Sequence, residues 1–239
     1  MRDPGRERLV IVLSVAPYAE DDRILKLLSP EDGRIAAFQR AGRRKPLGLD
    51  VGSRARVTLR RRTGGLDTLV AAEVDDPRLH LRRSYSRLVL AQYGCELVGS
   101  FAHEGASEPK LFGLLETLLL LLDALDDDPG PALLAALELK VLTFAGVGPS
   151  LDRCGLCGGS VEAEMAFDPG GGGARHRRCG EGIGVSGEAL AELEELRRTP
   201  LRELVDRPIP AGHEAWVADL VRHQLGRELG SRALVAGLY

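Results

Sequence analysis

The chain has 239 residues, 44% of them hydrophobic and 28% charged, with a formal net charge of −3. That length supports one large or two small domains with a packed core, and the balance is that of an ordinary soluble globular protein. The longest apolar runs, Leu118 to Leu122 and Ala132 to Leu137, are far too short to span a bilayer. The charged start Met1-Arg-Asp-Pro-Gly-Arg-Glu-Arg is not a signal peptide, so a reduced, cytoplasmic setting without a membrane partner is expected.

Residues 8–75 read as β structure. Leu9 to Leu13, continuing to Val15, is a buried strand, and Asp22 to Leu28 is a second. The turn Ser29-Pro30-Glu31-Asp32-Gly33 sends the chain back as a third strand, Gly33 to Phe38. After a basic loop, Val51 to Arg62 alternates with period two. Val51, Ala55, Val57 and Leu59 fall on one face, and Arg54, Arg56, Arg60 and Arg62 on the other. Thr63-Gly64-Gly65 turns into a last strand, Leu66 to Val74. Five short strands in such a span predict a small barrel, with an OB-fold the natural candidate.

At Asp75-Asp76-Pro77 the period becomes helical, so the expected division is a barrel domain at 1–76 and a helical domain at 77–239. One long helix is expected from Leu79 to about residue 102, a second over Glu108 to Leu125 and a third from Pro131 to about Ala145. Shorter helices follow at Ser186 to Arg198 and Leu201 to Asp206, then a last one over Gly212 to Leu229. The fold class expected is therefore α+β and multidomain: an N-terminal OB-fold barrel, then an all-helical domain with an insertion at about 150–182. Within that insertion Gly170 to Gly173 reads as a flexible tip.

Two constellations could carry function. The first is Cys154-x2-Cys157-x18-His176-x2-Cys179, which gathers three of the four cysteines. Two knuckles with paired ligands match what Zn2+ needs from thiolate and imidazole, so one structural Zn2+ is expected. A disulfide or a metal-free knuckle are the competing readings. Four protein ligands close the tetrahedron and leave no place for an activated water. The second constellation is basic. Arg40, Arg43, Arg44, Lys45, Arg54, Arg56, Arg60, Arg61 and Arg62 stand against Asp50 alone. Such a stripe on a barrel suits a phosphate backbone, against the alternative of a solvated strand face in an arginine-rich protein. Tyr18 and Phe38 are the nearby candidates for base stacking. No Walker-type phosphate loop, nucleophile elbow or H-E-x-x-H is present, so an enzyme is not expected.

These features in their order resemble the RecO family of bacterial DNA repair proteins, over nearly the whole chain. Val10-Ile-Val-Leu followed by Tyr18-Ala-Glu20 looks like its opening strand and Y-x-E element, and Arg40-Ala-Gly-Arg-Arg-Lys45 like its basic loop. Ala91-x-Tyr93-x-x-Glu96-Leu97, Glu108-x-x-Leu111-Phe112, Leu137-Glu-Leu-Lys140 and Leu225-Gly226 to Ser231-Arg232 are similar to its helical signatures. Two departures stand out: the third ligand is His176 where the family generally has cysteine, and Leu47-Gly48-Leu49-Asp50 replaces a Pro-Phe step. His103 and His213 are the other histidines considered as ligand, and both lack the spacing to Cys179. The resemblance implies a recombination mediator without catalytic turnover. It would bind single-stranded DNA, anneal complementary strands, contact the acidic C-terminal tail of single-strand binding protein and, with RecR, help load RecA onto coated DNA at the nucleoid. Lys140, Arg153, Arg175 and Arg178 are candidate rim positions for that tail. The contrasting reading is a zinc-stabilised protein-interaction scaffold with no direct DNA contact.

Overall fold

The computed structural model describes residues 5–18, 22–40, 48–62, 65–209 and 213–239. Five strands open the chain: β1 (Arg6–Tyr18), β2 (Asp22–Ser29), β3 (Gly33–Gln39), β4 (Arg54–Arg60) and β5 (Asp67–Asp76). They close into a barrel in the order β1-β2-β3-β5-β4, with β4 returning to β1. All pairings are antiparallel except β3 with β5, which run parallel through only two pairs, Ala37 with Asp67 and Phe38 with Thr68. That order is the one expected of an OB-fold. Alternation along the strands turns Val10, Val12, Leu25, Leu27, Ala37, Ala55, Val57, Leu59 and Leu69 into the barrel core. Val51 is exposed and precedes β4, so it does not join that inner face.

Two helices belong to the same compact unit, Met1–Asp126. They are α1 (Tyr85–Phe101) and α2 (Pro109–Ala124). The long helix expected from Leu79 is broken: a 3-10 turn covers Leu79–Arg83, and Ser84 then caps α1 by accepting from the Arg87 N–H at 3.3 Å. Ile11 and Leu13, on the outer face of β1, are as buried as Val10 and Val12, because α1 lies over them. This explains why β1 is apolar without alternation. Secondary structure therefore changes at residues 76–79, but packing does not change until Asp126.

The second unit, Asp127–Tyr239, is built on α3 (Pro131–Phe144), whose residues Ala132–Leu139 are all buried. Packed on it are α4 (Gly187–Arg198) and α5 (His213–Leu225), with α6 (Arg232–Ala236) closing the chain. Between α3 and α4 the insertion forms a three-stranded antiparallel sheet: β6 (Glu164–Asp168) at the centre, flanked by β7 (Gly173–Arg175) and β8 (Ile183–Ser186). Pattern reading missed this sheet, since its strands are only three to five residues long. The short helix expected over Leu201 to Asp206 is a single 3-10 turn, Leu201–Glu203, confined between Pro200 and Pro208. The last helix stops at Leu225 because Gly226 adopts a left-handed φ of 66°.

Candidate metal centre and nucleic-acid interface

The four residues singled out by spacing converge. One donor atom from each of Cys154, Cys157, His176 and Cys179 lies within 4.8 Å of every other, so the group can hold a metal ion. Each pair sits on its own tight turn. The Gly158 N–H donates to the Cys154 carbonyl at 2.8 Å, and the Cys179 N–H donates to the His176 carbonyl at 2.8 Å. Strand β7 delivers His176 directly from the sheet. The first knuckle is fixed to that strand by the Gly155 N–H donating to the Ala174 carbonyl at 2.8 Å. Gly173 has φ 110°, and a Cβ there would stand 2.5 Å from the Ser150 carbonyl oxygen, so the close approach of strand and knuckle requires glycine.

The ring of His176 is buried and oriented from both sides. Nδ1 faces the thiols, 3.3 Å from Cys157 Sγ and 3.9 Å from Cys179 Sγ. Nε2 lies 2.9 Å from the Ser160 carbonyl oxygen, which can only accept, so Nε2 carries the hydrogen and Nδ1 keeps its lone pair for a metal. Glu162 stands behind, 3.4 Å from Nε2, and is bound by Arg178 at 2.8 Å. Backbone N–H groups of Cys157 and His176 point at Cys154 Sγ and hold its thiol down to about 6, whereas burial pushes Cys179 up to about 11. Donor set, convergence and tautomer all fit a metal ion. His103 is exposed, paired with Glu108 at 3.0 Å and in the other unit, and His213 stacks on Trp216 at 4.8 Å; neither belongs to the group.

Around this centre the expected rim cations are already matched. Arg153 pairs with Asp152, Arg175 with Asp168, Arg178 with Glu162, and Lys140 donates to the Arg197 carbonyl. In the Gly170 to Gly173 tip, Gly170 and Gly171 are exposed and Gly173 is buried. The Gly170 N–H donates to Asp168 at 2.9 Å, and the Arg175 guanidinium, paired with Asp168, lies over Gly171.

On the barrel, Arg54, Arg56 and Arg60 project from β4 away from the core, and Arg62 lies just beyond its end. They differ in what surrounds them. Arg54 is held by Glu116 at 2.8 Å, and the same carboxylate binds the fully buried Arg78. Arg56 reaches Asp75 at 3.5 Å. Arg40 and Arg62 are exposed and Arg60 half-buried. Arg43, Arg44 and Lys45 lie outside the described residues, as do Ala19 and Glu20. Tyr18 and Phe38 meet edge to face at 5.6 Å, with Tyr18 half-exposed. Sequence reading missed Arg6, Arg8 and Arg34, which line a groove with Arg61 and Arg62. The five come from β1, β3 and the end of β4, so no single window of sequence could group them all.

A closed barrel of OB strand order, followed by helices that carry a Cys3His cluster in a small sheet, defines a modular protein of a recognisable class. Two family models match the chain: Recombination protein O N terminal over residues 7–78 and Recombination protein O C terminal over residues 82–234. It is 35% identical to the DNA repair protein RecO of Anaeromyxobacter sp. (strain K), covering 93% of this chain and 92% of that one. It is 33% identical to that of Myxococcus xanthus (92% and 93%) and 31% identical to that of Symbiobacterium thermophilum (94% and 89%). The chain belongs to the RecO family, and its function lies in DNA repair and recombination. Among the described residues no helix is long and apolar enough to cross a membrane.

Proposed function

We propose that this chain is a cytoplasmic recombination mediator without catalytic turnover. It binds single-stranded DNA through the barrel of residues 1–76 and anneals complementary strands. With RecR it helps load RecA onto DNA coated by single-strand binding protein, whose acidic tail it contacts through residues 77–239. The observation that carries the DNA part is the exposed arginine surface of an OB-order barrel in a RecO-family chain. Arg40, Arg60, Arg61 and Arg62 are the cations of the predicted stripe that no carboxylate holds among the described residues, and Arg43, Arg44 and Lys45 extend the same basic segment in sequence. Cations of this kind displace condensed counterions from phosphates, and neutralised strands approach each other without the repulsion that separates bare ones. Tyr18 offers a ring face for a base.

Zn2+ is the ion this reading assigns to Cys154, Cys157, His176 and Cys179, as a structural cross-link between the two knuckles. Oligonucleotide affinity measured by fluorescence anisotropy tests the DNA part. Neutralising about four phosphates gives a slope of log affinity on log salt near roughly −3 for single strands. A flat salt profile, or no binding by the chain alone at low salt, would leave the protein-interaction scaffold in its place.

A further inference from the structure

Ion pairing divides the arginines of the barrel into two sets. In the first half of β4 the charge is matched internally: Arg54 by Glu116, Arg56 by Asp75. At the far end of β4 it is not. Arg61 and Arg62 are exposed, and Arg6, at the start of β1 opposite Leu59, is exposed beside them. No carboxylate pairs with any of these three among the described residues. They open onto one groove of about 490 Å3. The groove exists because β5 leaves β3 after two pairs, so the first half of β3 has no strand on that side. Its far wall holds Arg8, fixed by Asp32, and Arg34, fixed by Glu104 at 3.2 Å and donating to the Gly99 carbonyl at 2.9 Å.

We infer that this groove, rather than the face of β4, is where the barrel takes the phosphates of single-stranded nucleic acid, with Arg6, Arg61 and Arg62 as the phosphate contacts. The inference rests on the DNA-binding reading above and gives it a location. A matched arginine must lose its carboxylate before it can meet a phosphate, whereas an unmatched one exchanges only water and counterions. Arg8 and Arg34 keep their side chains ordered through their own carboxylates and form a stationary wall. Exposed Leu66 and partly buried Ile35 also line the groove, giving apolar surface to a base removed from its stack. Asp67 adds an acceptor for a base amino group. A nucleotide offers both an anionic and an amino-bearing apolar part. An acidic peptide offers only carboxylates at its side chains, and these would meet Asp67 unfavourably. Base surface of this kind is accessible only in a single strand.

The test is the salt dependence of oligonucleotide binding by the full chain. Removing three phosphate contacts in Arg6→Ala/Arg61→Ala/Arg62→Ala should make the slope about 2 shallower and weaken binding about 100-fold at 0.1 M salt. The triple Lys variant should keep most of the affinity, because lysine still presents a point charge to phosphate. Arg54→Ala/Arg56→Ala should change the slope by less than about 1. If the unaltered chain binds with the steep slope and the triple Ala variant retains it, the groove is not the site. The groove equally fails as the site if the Arg54/Arg56 variant carries the loss, or if the triple Ala variant keeps DNA affinity but loses affinity for a polyglutamate peptide. If the unaltered chain shows no salt-dependent binding, the reading of the barrel as a DNA binder fails with it.

Discussion

His176 is oriented as a metal ligand would need to be. Its Nε2 hydrogen is committed to the Ser160 carbonyl, and Glu162, anchored by Arg178, adds negative charge on that side. The Arg178 guanidinium also lies 3.4 Å from Nδ1, where it would offset the net negative charge of three thiolates around a divalent ion. Outer partners of this kind typically contribute about 10–100-fold in metal affinity. Glu162→Ala should therefore lower zinc affinity within that range in competition with a chromogenic chelator, and His176→Ala should lower it further. His103→Ala should leave it unchanged. Retention of full affinity by His176→Ala would remove imidazole from the ligand set. Spacing alone was enough to find the four side chains that converge. The Ser160 carbonyl and Glu162 were not legible, because a carbonyl has no sequence signature and Glu162 is one acid among many.

At the scale of elements, β4 was readable from its period of two, α2 from its period of about 3.6, and β1 from a short apolar run that follows charged residues. What escaped was whatever depends on a partner distant in sequence. The outward arginines of β4 formed a clear alternation, yet Glu116, 62 residues beyond Arg54, turns part of that stripe inward. Glu116 lies on α2 and bridges Arg54 and Arg78, and Arg78 also donates to the Gly52 carbonyl at 2.8 Å and reaches Asp76 at 3.4 Å. The Arg78 side chain has no exposed surface. Removing one partner of a buried ion pair costs about 3–5 kcal/mol, because the remaining charge stays desolvated. Glu116→Ala should therefore lower the stability of the first unit by about 3 kcal/mol in urea unfolding, the low end because Asp76 remains as a partner. Glu116→Gln should lose less, and a neutral result for Glu116→Ala would mean that the cluster is solvated in solution. The sheet of β6, β7 and β8 escaped for a related reason: strands of three to five residues are defined by mutual pairing and by the knuckles, not by their own pattern.

At the scale of the molecule, the two constellations legible in the sequence lie in different compact units, the basic surface in Met1–Asp126 and the four candidate ligands in Asp127–Tyr239. Each unit has its own core, so loss of the metal should be felt in only one. The insertion buries little of its own: Met165, Ala166, Phe167, Ala174 and Val185 are its main apolar contribution. It is tied to the helices through Phe167, which meets Trp216 of α5 at 6.2 Å. A sheet this small is marginal without a staple, and structural zinc contributes on the order of 10 kcal/mol of apparent folding free energy in small metal-stabilised folds. Stripping the metal with a strong chelator should therefore open residues 150–186 to amide hydrogen exchange. Protection of β1 to β5 should be unchanged, and α3, buried along most of its length, should lose protection only where it meets α4. Oligonucleotide affinity of the stripped protein should stay within about two-fold if the barrel carries the DNA contacts. A parallel collapse of affinity and of exchange protection in 150–186 would instead make the metal-bound sheet part of the DNA-binding surface. Full retention of protection in that segment would show that its packing on α5 suffices without an ion.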